Sequence, residues 1–330
     1  MKIRIGLNGF GRIGKNFARL AINDPDIELV AFNARKSAST YAYTFKYDSV
    51  HGNWPGEVSA DEDGIVVDGK KIKMTSDAKG KWQWGDLGVD IVVEATGVFV
   101  DRESCEMHLE RGAKKVIISA PGKNPDLTVV YNVNHEQYDS AKHHIVSAAS
   151  CTTNCLAPLA MVLNNEFTIQ KAYMSTVHAY TVGQSLLDGS NSKDPRRGRA
   201  AALNIVPTTT GAARAVGLVL PELEGKIDGM AIRSPNPVGS IVDLTAVVEK
   251  ATTRDEVNEA FNRLKNETLG YSDEHLVSSD IVGDSHGGVI DGRSTGVVDE
   301  NLVKVLAWYD NEMGFNHQLL RLIRQVGSSI

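Results

Sequence analysis

Gly9-Phe10-Gly11-Arg12-Ile13-Gly14 constrains this 330-residue chain more than any other stretch, because of what flanks it. Ile3, Ile5 and Leu7 alternate before it as in a strand, and Phe17, Leu20 and Ala21 recur after it as on a helix face. A second strand over 27–32 completes a β-α-β unit at the spacing of a dinucleotide-binding fingerprint. Gly9, Gly11 and Gly14 would let backbone approach a pyrophosphate at the helix N-terminus, where N–H groups and the dipole favour an anion.

The rest of the first half continues in that sense. Nearly continuous apolar runs over 89–95 and 115–119 fit strands covered on both faces, with 127–131 and 144–147 as the last strands. Asp63-Gly64 and Asp68-Gly69 bracket a hairpin segment over 65–67. Loops at the carboxyl ends of the strands, Thr96-Gly97 among them, should line a cofactor crevice. The second strand ends in Asn33-Ala34-Arg35-Lys36-Ser37. An acidic residue there would hold the ribose hydroxyls and repel a 2′-phosphate. Its absence, with two cations adjacent, favours NADP or acceptance of both NADP and NAD. The alternative is that Arg35 and Lys36 are solvated surface charges and NAD binds through fewer contacts.

Ser150-Cys151-Thr152-Thr153-Asn154-Cys155 lies where extended sequence over 144–149 gives way to a helical pattern. A helix N-terminus favours thiolate over thiol, and its N–H groups can hold an oxyanion. Cys151 is therefore a candidate nucleophile, the alternative being a buried structural cysteine. His178, after a strand over 174–177, is a base that could accept its proton and stabilise an ion pair, although the sequence does not show that the two meet. Arg197 and Arg233, with Thr208-Thr209-Thr210-Gly211, are residue types that bind phosphate oxygens. Strands over 172–177, 226–233, 240–250 and 303–309, with few helices between, predict a mainly antiparallel sheet. The fold expected is a Rossmann-type doubly wound parallel sheet (1–149) followed by an α+β catalytic domain (150–312).

Composition narrows the partners. A net charge of −6 argues against a general nucleic-acid or anionic-membrane partner. Three cysteines give no disulfide framework and no Cys-x-x-Cys metal pair, so a reducing cytoplasm and no metal are expected. No apolar run is long enough to span a membrane, and the first ten residues carry no secretory pattern.

The chain resembles the phosphorylating glyceraldehyde-3-phosphate dehydrogenase family from end to end. Asn8-Gly9-Phe10-Gly11-Arg12-Ile13-Gly14, the Cys151 stretch, Val177-His178-Ala179-Tyr180-Thr181, 208–213 and Trp308-Tyr309-Asp310-Asn311-Glu312 stand in the family's order and spacing. The resemblance implies that Cys151 attacks the aldehyde of glyceraldehyde 3-phosphate with His178 as base. Hydride transfer to the cofactor would leave a thioester, which inorganic phosphate would convert to an acyl phosphate. It assigns the substrate phosphate to Thr181 and Arg233, and the attacking phosphate to Ser150, Thr152, Arg197, Thr210 and Gly211. Asn311 would orient the nicotinamide, and Arg12, Ile13, Thr96 and Ser119 would lie along the cofactor. The family also implies a homotetramer, with the loop over 180–199 between subunits, and a C-terminal helix (313–330) that returns to the first domain. Ala34 replaces the usual Asp, and Ser190 stands where NAD-specific members carry Pro, both in the direction of NADP. Ser234-Pro235-Asn236-Pro237-Val238-Gly239 departs from the family's Val-Pro-Thr-Pro-Asn-Val, and Val182-Gly183 and Phe315 depart as well. The competing readings are an erythrose-4-phosphate dehydrogenase, which hydrolyses its thioester, and an inactive nucleotide-binding regulator.

Overall fold

The computed structural model describes residues 2–192 and 194–330. The N-terminal alternation forms β1 (Ile3–Asn8), and the glycine turn leads into α1 (Arg12–Ala21) and β2 (Ile27–Asn33). Next come α2 (Ala38–Lys46), β3 (Val58–Asp61), β4 (Gly64–Val67), β5 (Lys70–Thr75), β6 (Ile91–Glu94), α3 (Arg102–Glu110), β7 (Lys115–Ile118), β8 (Leu127–Thr128) and β9 (Ile145–Ser147). They build a sheet in the order β3-β4-β5-β2-β1-β6-β7-β9-β8. Every pairing from β5 through to β8 is parallel, whereas β3, β4 and β5 pair antiparallel. Chain order reverses between β1 and β6, so the crevice expected of such a sheet opens beyond Asn8 and Glu94. The core strands β6 and β7 are buried along their whole length, which is why their sequences are almost unbroken apolar runs.

The strand expected over 127–131 is shorter than the sequence predicts. The Asn134 side chain takes the Val130 N–H at 2.9 Å and donates to the Thr128 carbonyl at 2.9 Å, turning the chain back after Thr128.

The second unit begins with α4 (Cys151–Phe167) and continues through β10 (Ile169–Ala179), β11 (Val206–Thr209), α5 (Ala212–Val219), β12 (Ile227–Ser234), β13 (Ser240–Val248), α6 (Arg254–Leu264), β14 (Leu269–Ser272), β15 (Gly288–Asp291), β16 (Gly296–Val298) and β17 (Leu302–Tyr309). The sheet runs β11-β12-β10-β13-β17-β15-β14, with β16 on β17. It is mainly antiparallel, the exceptions among its pairings being β10 with β12 and β14 with β15. Helix α4 packs across β10, β13, β15 and β17. Pro158 sits inside it and cannot give an N–H to the Asn154 carbonyl. The helix persists because Leu156, Leu159, Ala160 and Leu163 are wholly buried beside it.

The last helix, α7 (Met313–Gly327), starts in the second unit and passes into the first, which comprises the residues up to Ser150 together with Asn316–Ile330. Its buried face carries Leu319, Leu322, Ile323 and Val326. Among the described residues no helix is long and apolar enough to cross a membrane, and no group of three or more metal-ligating side chains occurs.

Candidate active site

The approach to the reactive cysteine is strained. Ala149 adopts φ +58, a left-handed conformation that costs a non-glycine residue about 1–2 kcal/mol. Cys151 then opens α4, half-buried, with its Sγ 3.4 Å from His178 Nε2. Strand β10 delivers His178, and its parallel neighbour β12 sets Arg233 directly beside it in register. The Ala179 carbonyl lies 2.7 Å from His178 Nδ1, and Arg233 Nη1 lies 2.6 Å from the same nitrogen and 3.0 Å from the same carbonyl.

Burial dominates the electrostatics of the pair. Burial pushes the Cys151 thiol up, with the Arg233 charge opposing, while burial and then Arg233 pull His178 down to about 3. Desolvation is the largest cause of both shifts, and it favours the neutral form of each group. A neutral imidazole is the form that can accept a proton. Cys155, one turn on, is fully buried and raised well above its ordinary value, as befits a packed neighbour.

Sequence reasoning did not single out the scaffold behind this pair. Tyr309 donates or accepts through one hydroxyl with Thr152 Oγ1 at 2.9 Å and Thr176 Oγ1 at 2.8 Å, and its ring meets His178 edge-on at 5.9 Å. Ser240 Oγ accepts from the Ala179 N–H at 3.1 Å and donates to Asn311 Oδ1 at 2.9 Å, which turns the Asn311 amide nitrogen the other way. The run Trp308 to Glu312 was the only sequence signal for Tyr309.

Arg197 is held by Thr208 Oγ1 at 2.9 Å and the Thr209 carbonyl at 3.2 Å, while Thr208 donates to Asp194 at 2.7 Å. Gly211 precedes α5, and Thr210 Oγ1 accepts the Ala212 N–H at 3.1 Å, so a cation and a helix start lie at the two ends of one short segment. Thr181 and Ser190 are exposed on the loop, and Ser150 is half-buried at the end of the first unit.

In the first unit a cavity of about 420 Å³ is lined by Gly9, Gly11, Asn33, Ala34, Arg35 and Thr96, joined by Lys36, Tyr41, Asp77 and Lys79. Gly9 has φ +102, and a Cβ there would come within 2.8 Å of the Thr96 nitrogen; one at Gly14 would meet the Gly9 carbonyl at 2.2 Å. A Cβ at Gly11 would meet nothing within 4 Å, so the turn presents open backbone toward the cavity. The arrangement fits a dinucleotide: bare backbone at the phosphates, and Ala34, Arg35 and Lys36 at the far end of β2. Gly97 turns the chain at φ +68, and Ser119 is tied to the Glu94 carbonyl through Oγ at 2.9 Å. Ile13 is half-buried in α1, and Arg12 bonds Asp48 at 2.5 Å beside an adjoining hollow.

Comparison with known proteins agrees along the length of the chain. Residues 3–102 match the family model described as glyceraldehyde 3-phosphate dehydrogenase, NAD binding domain, and residues 150–311 match that family's C-terminal domain. The chain is 52% identical to a glyceraldehyde-3-phosphate dehydrogenase of Geobacillus stearothermophilus, covering 99% of each chain. It is 50% identical to glyceraldehyde-3-phosphate dehydrogenase 1 of Bacillus subtilis, covering 98% of this chain and 97% of that one. Identity to the Streptomyces coelicolor enzyme of the same name is 49% over the full length of both.

Proposed function

The chain belongs to the glyceraldehyde-3-phosphate dehydrogenase family, and from that premise we propose that it catalyses the reversible, phosphorylating oxidation of glyceraldehyde 3-phosphate to 1,3-bisphosphoglycerate. The observation that carries the reading is Cys151 Sγ at 3.4 Å from His178 Nε2, at the start of a helix.

Cys151 Sγ attacks the aldehyde carbon while its proton passes to His178 Nε2. N–H groups in the first turn of α4 hold the oxygen of the thiohemiacetal. A bound nicotinamide supplies the hydride acceptor that this chemistry needs. The adduct becomes a Cys151 thioester, and attack by inorganic phosphate releases the acyl phosphate and restores the thiol. Thr181 and Arg233 hold the substrate phosphate; Ser150, Thr152, Arg197, Thr210 and Gly211 receive the attacking one. Asn311 presents its amide nitrogen to the nicotinamide carboxamide, a role its bond to Ser240 supports. Gly9, Gly11, Arg12, Ile13, Gly14, Asn33, Ala34, Arg35, Thr96, Gly97, Ser119 and Ser190 hold the cofactor.

The cofactor is NADP, or either NADP or NAD. Arg35 and Lys36 line the cavity and β2 ends without a carboxylate, which supports acceptance of a 2′-phosphate. The enzyme works in the cytoplasm as a homotetramer. Val182, Leu186 and Leu187 on the 180–199 loop, with Leu203 and Ile205 beyond it, are 69–90% exposed, the kind of apolar surface that a second subunit covers.

Steady-state formation of reduced cofactor from glyceraldehyde 3-phosphate, with and without inorganic phosphate, tests the proposal. Turnover should require phosphate and vanish when Cys151 is alkylated. Efficient phosphate-free oxidation of erythrose 4-phosphate would instead assign a hydrolytic dehydrogenase, and turnover unaffected by alkylation would remove Cys151 from the chemistry.

A further inference from the structure

We propose that Asp77 supplies the ribose-facing carboxylate that the end of β2 lacks, giving the cofactor cavity an NAD-selecting group opposite its NADP-selecting cations. The proposal rests on the reading of that cavity as the cofactor site and refines its cofactor choice.

The sheet brings Asp77 there. Strand β5 runs parallel to β2 with Thr75 in register with Asn33, so the residues that follow each strand emerge side by side. Asn33 Oδ1 accepts the Asp77 N–H at 2.7 Å, and Asn33 Nδ2 donates to the Asp77 carbonyl at 3.2 Å. The Ala34 N–H is bonded to the Thr75 carbonyl at 2.9 Å. These three bonds fix the Asp77 main chain beside Ala34, and both residues line the one cavity. None of the three uses the Asp77 carboxylate.

That carboxylate is not otherwise employed. Its Oδ2 is buried and has no hydrogen-bond partner, and among the described residues no ion pair reaches it, although Arg35, Lys36 and Lys79 line the same cavity. A shielded carboxylate oxygen without a donor is costly to keep. The other acids near the glycine turn are fully engaged. Asp48 is claimed by Arg12 and Lys15, and Glu94 by Asn8, Thr96 and His108. Asp77 is thus the acid at this rim with acceptor capacity left for a ligand.

The chemistry of the ligand follows. A ribose carrying free 2′- and 3′-hydroxyls offers two O–H donors to such an acceptor, whereas a 2′-phosphate offers only oxygens and like charge. Arg35 and Lys36 act in the opposite sense. The two sets of groups make the cavity serve both cofactors, and Asp77 sustains NAD binding.

The test uses the full-length enzyme and Asp77→Asn, which keeps the shape and the main-chain bonds. Calorimetric titration measures NAD and NADP, and the fragments 5′-AMP and 2′,5′-ADP. Asp77→Asn should raise the Kd of NAD and 5′-AMP about tenfold, as expected when a hydrogen bond to a charged group is lost. The Kd of NADP and 2′,5′-ADP should stay level or fall, and the kcat/KM ratio of NADP over NAD should rise in step. Equal shifts for both cofactors, or none for NAD, overturn the proposal. Asp77→Ser, with thermal unfolding of both variants, separates the effect from misfolding. Ala34→Asp tests the underlying reading by itself, because a carboxylate at that position should weaken NADP and 2′,5′-ADP more than NAD and 5′-AMP. If Ala34→Asp acts and Asp77→Asn does not, only the assignment of Asp77 falls; if neither acts, the cavity is not the ribose site and both readings fall.

Discussion

Each unit buries a polar network around a histidine, and the two differ in whether the position of the ring proton is fixed. In the first unit, donors converge on Glu94. Asn8 Nδ2 and His108 Nε2 reach Oε2 at 2.5 and 3.2 Å, and the Thr96 N–H reaches Oε1 at 2.8 Å beside the Thr96 hydroxyl. The Trp84 indole can only donate, so its 2.9 Å bond makes His108 Nδ1 the acceptor and places the ring proton on Nε2. Asn33 Nδ2 donates to Asn8 Oδ1 at 2.9 Å, while Thr75 Oγ1 and the Asp77 N–H donate to Asn33 Oδ1. One arrangement of protons satisfies the chain from end to end. In the second unit two arrangements compete, with the ring proton on either nitrogen of His178. His178 Nδ1 faces an acceptor, the Ala179 carbonyl, and a donor, Arg233 Nη1, at almost equal distance. The contest falls on the nitrogen opposite the one that meets the thiol. A settled network holds shape; an unsettled one can change protonation without rebuilding its surroundings.

The largest expected effect lies on the unsettled side. His178→Asn should lower kcat by about 10²–10⁴, the usual contribution of a positioned base, while the unfolding midpoint stays close to that of the parent. A variant that unfolds but turns over normally would invert the comparison. Glu94→Gln comes next, because it turns an acceptor oxygen into an amide that confronts donors. Urea unfolding should show a loss of about 1–3 kcal/mol, with the alkylation rate of Cys151 unchanged. An equally stable Glu94→Gln chain would mean that the first network is no better satisfied than the second. The smallest effect at neutral pH is the pH dependence written by His178, which grows only on acidification. Burial holds its pKa down to about 3 in the fold against an ordinary 6.5, so unfolding takes up a proton between those values. Stability from this residue is therefore complete above about pH 6.5 and is lost as pH falls toward 3, by about 1.4 kcal/mol per unit. Urea unfolding of the parent and His178→Asn at several pH values isolates the slope, and parallel curves would show that the imidazole is not held neutral.

Local chemistry made some of this legible and tertiary placement hid the rest. The β1 turn and α1 could be read because alternation, glycines and helical periodicity are all written within twenty residues. The mainly antiparallel second sheet could be read from long strands with few helices between them. Asp77 could not, because its importance comes from a parallel neighbour more than forty residues away in sequence. Tyr309 meets Thr152 and Thr176 only through the placement of elements distant in sequence. The helix start at Cys151 is visible in sequence, whereas the burial that pushes its thiol up is not.

Pro158 has a mechanical corollary. The turn that carries Cys151 is joined to the body of α4 by one hydrogen bond fewer than a regular helix would provide, because residue 158 has no N–H for the carbonyl of Asn154. Thr152 to Ala157 are nevertheless buried, and Thr152 is bonded to Tyr309, so packing takes over the restraint that the missing bond would have supplied. The position of the sulfur is thus set by what surrounds its helical turn more than by the helix's own ladder of bonds.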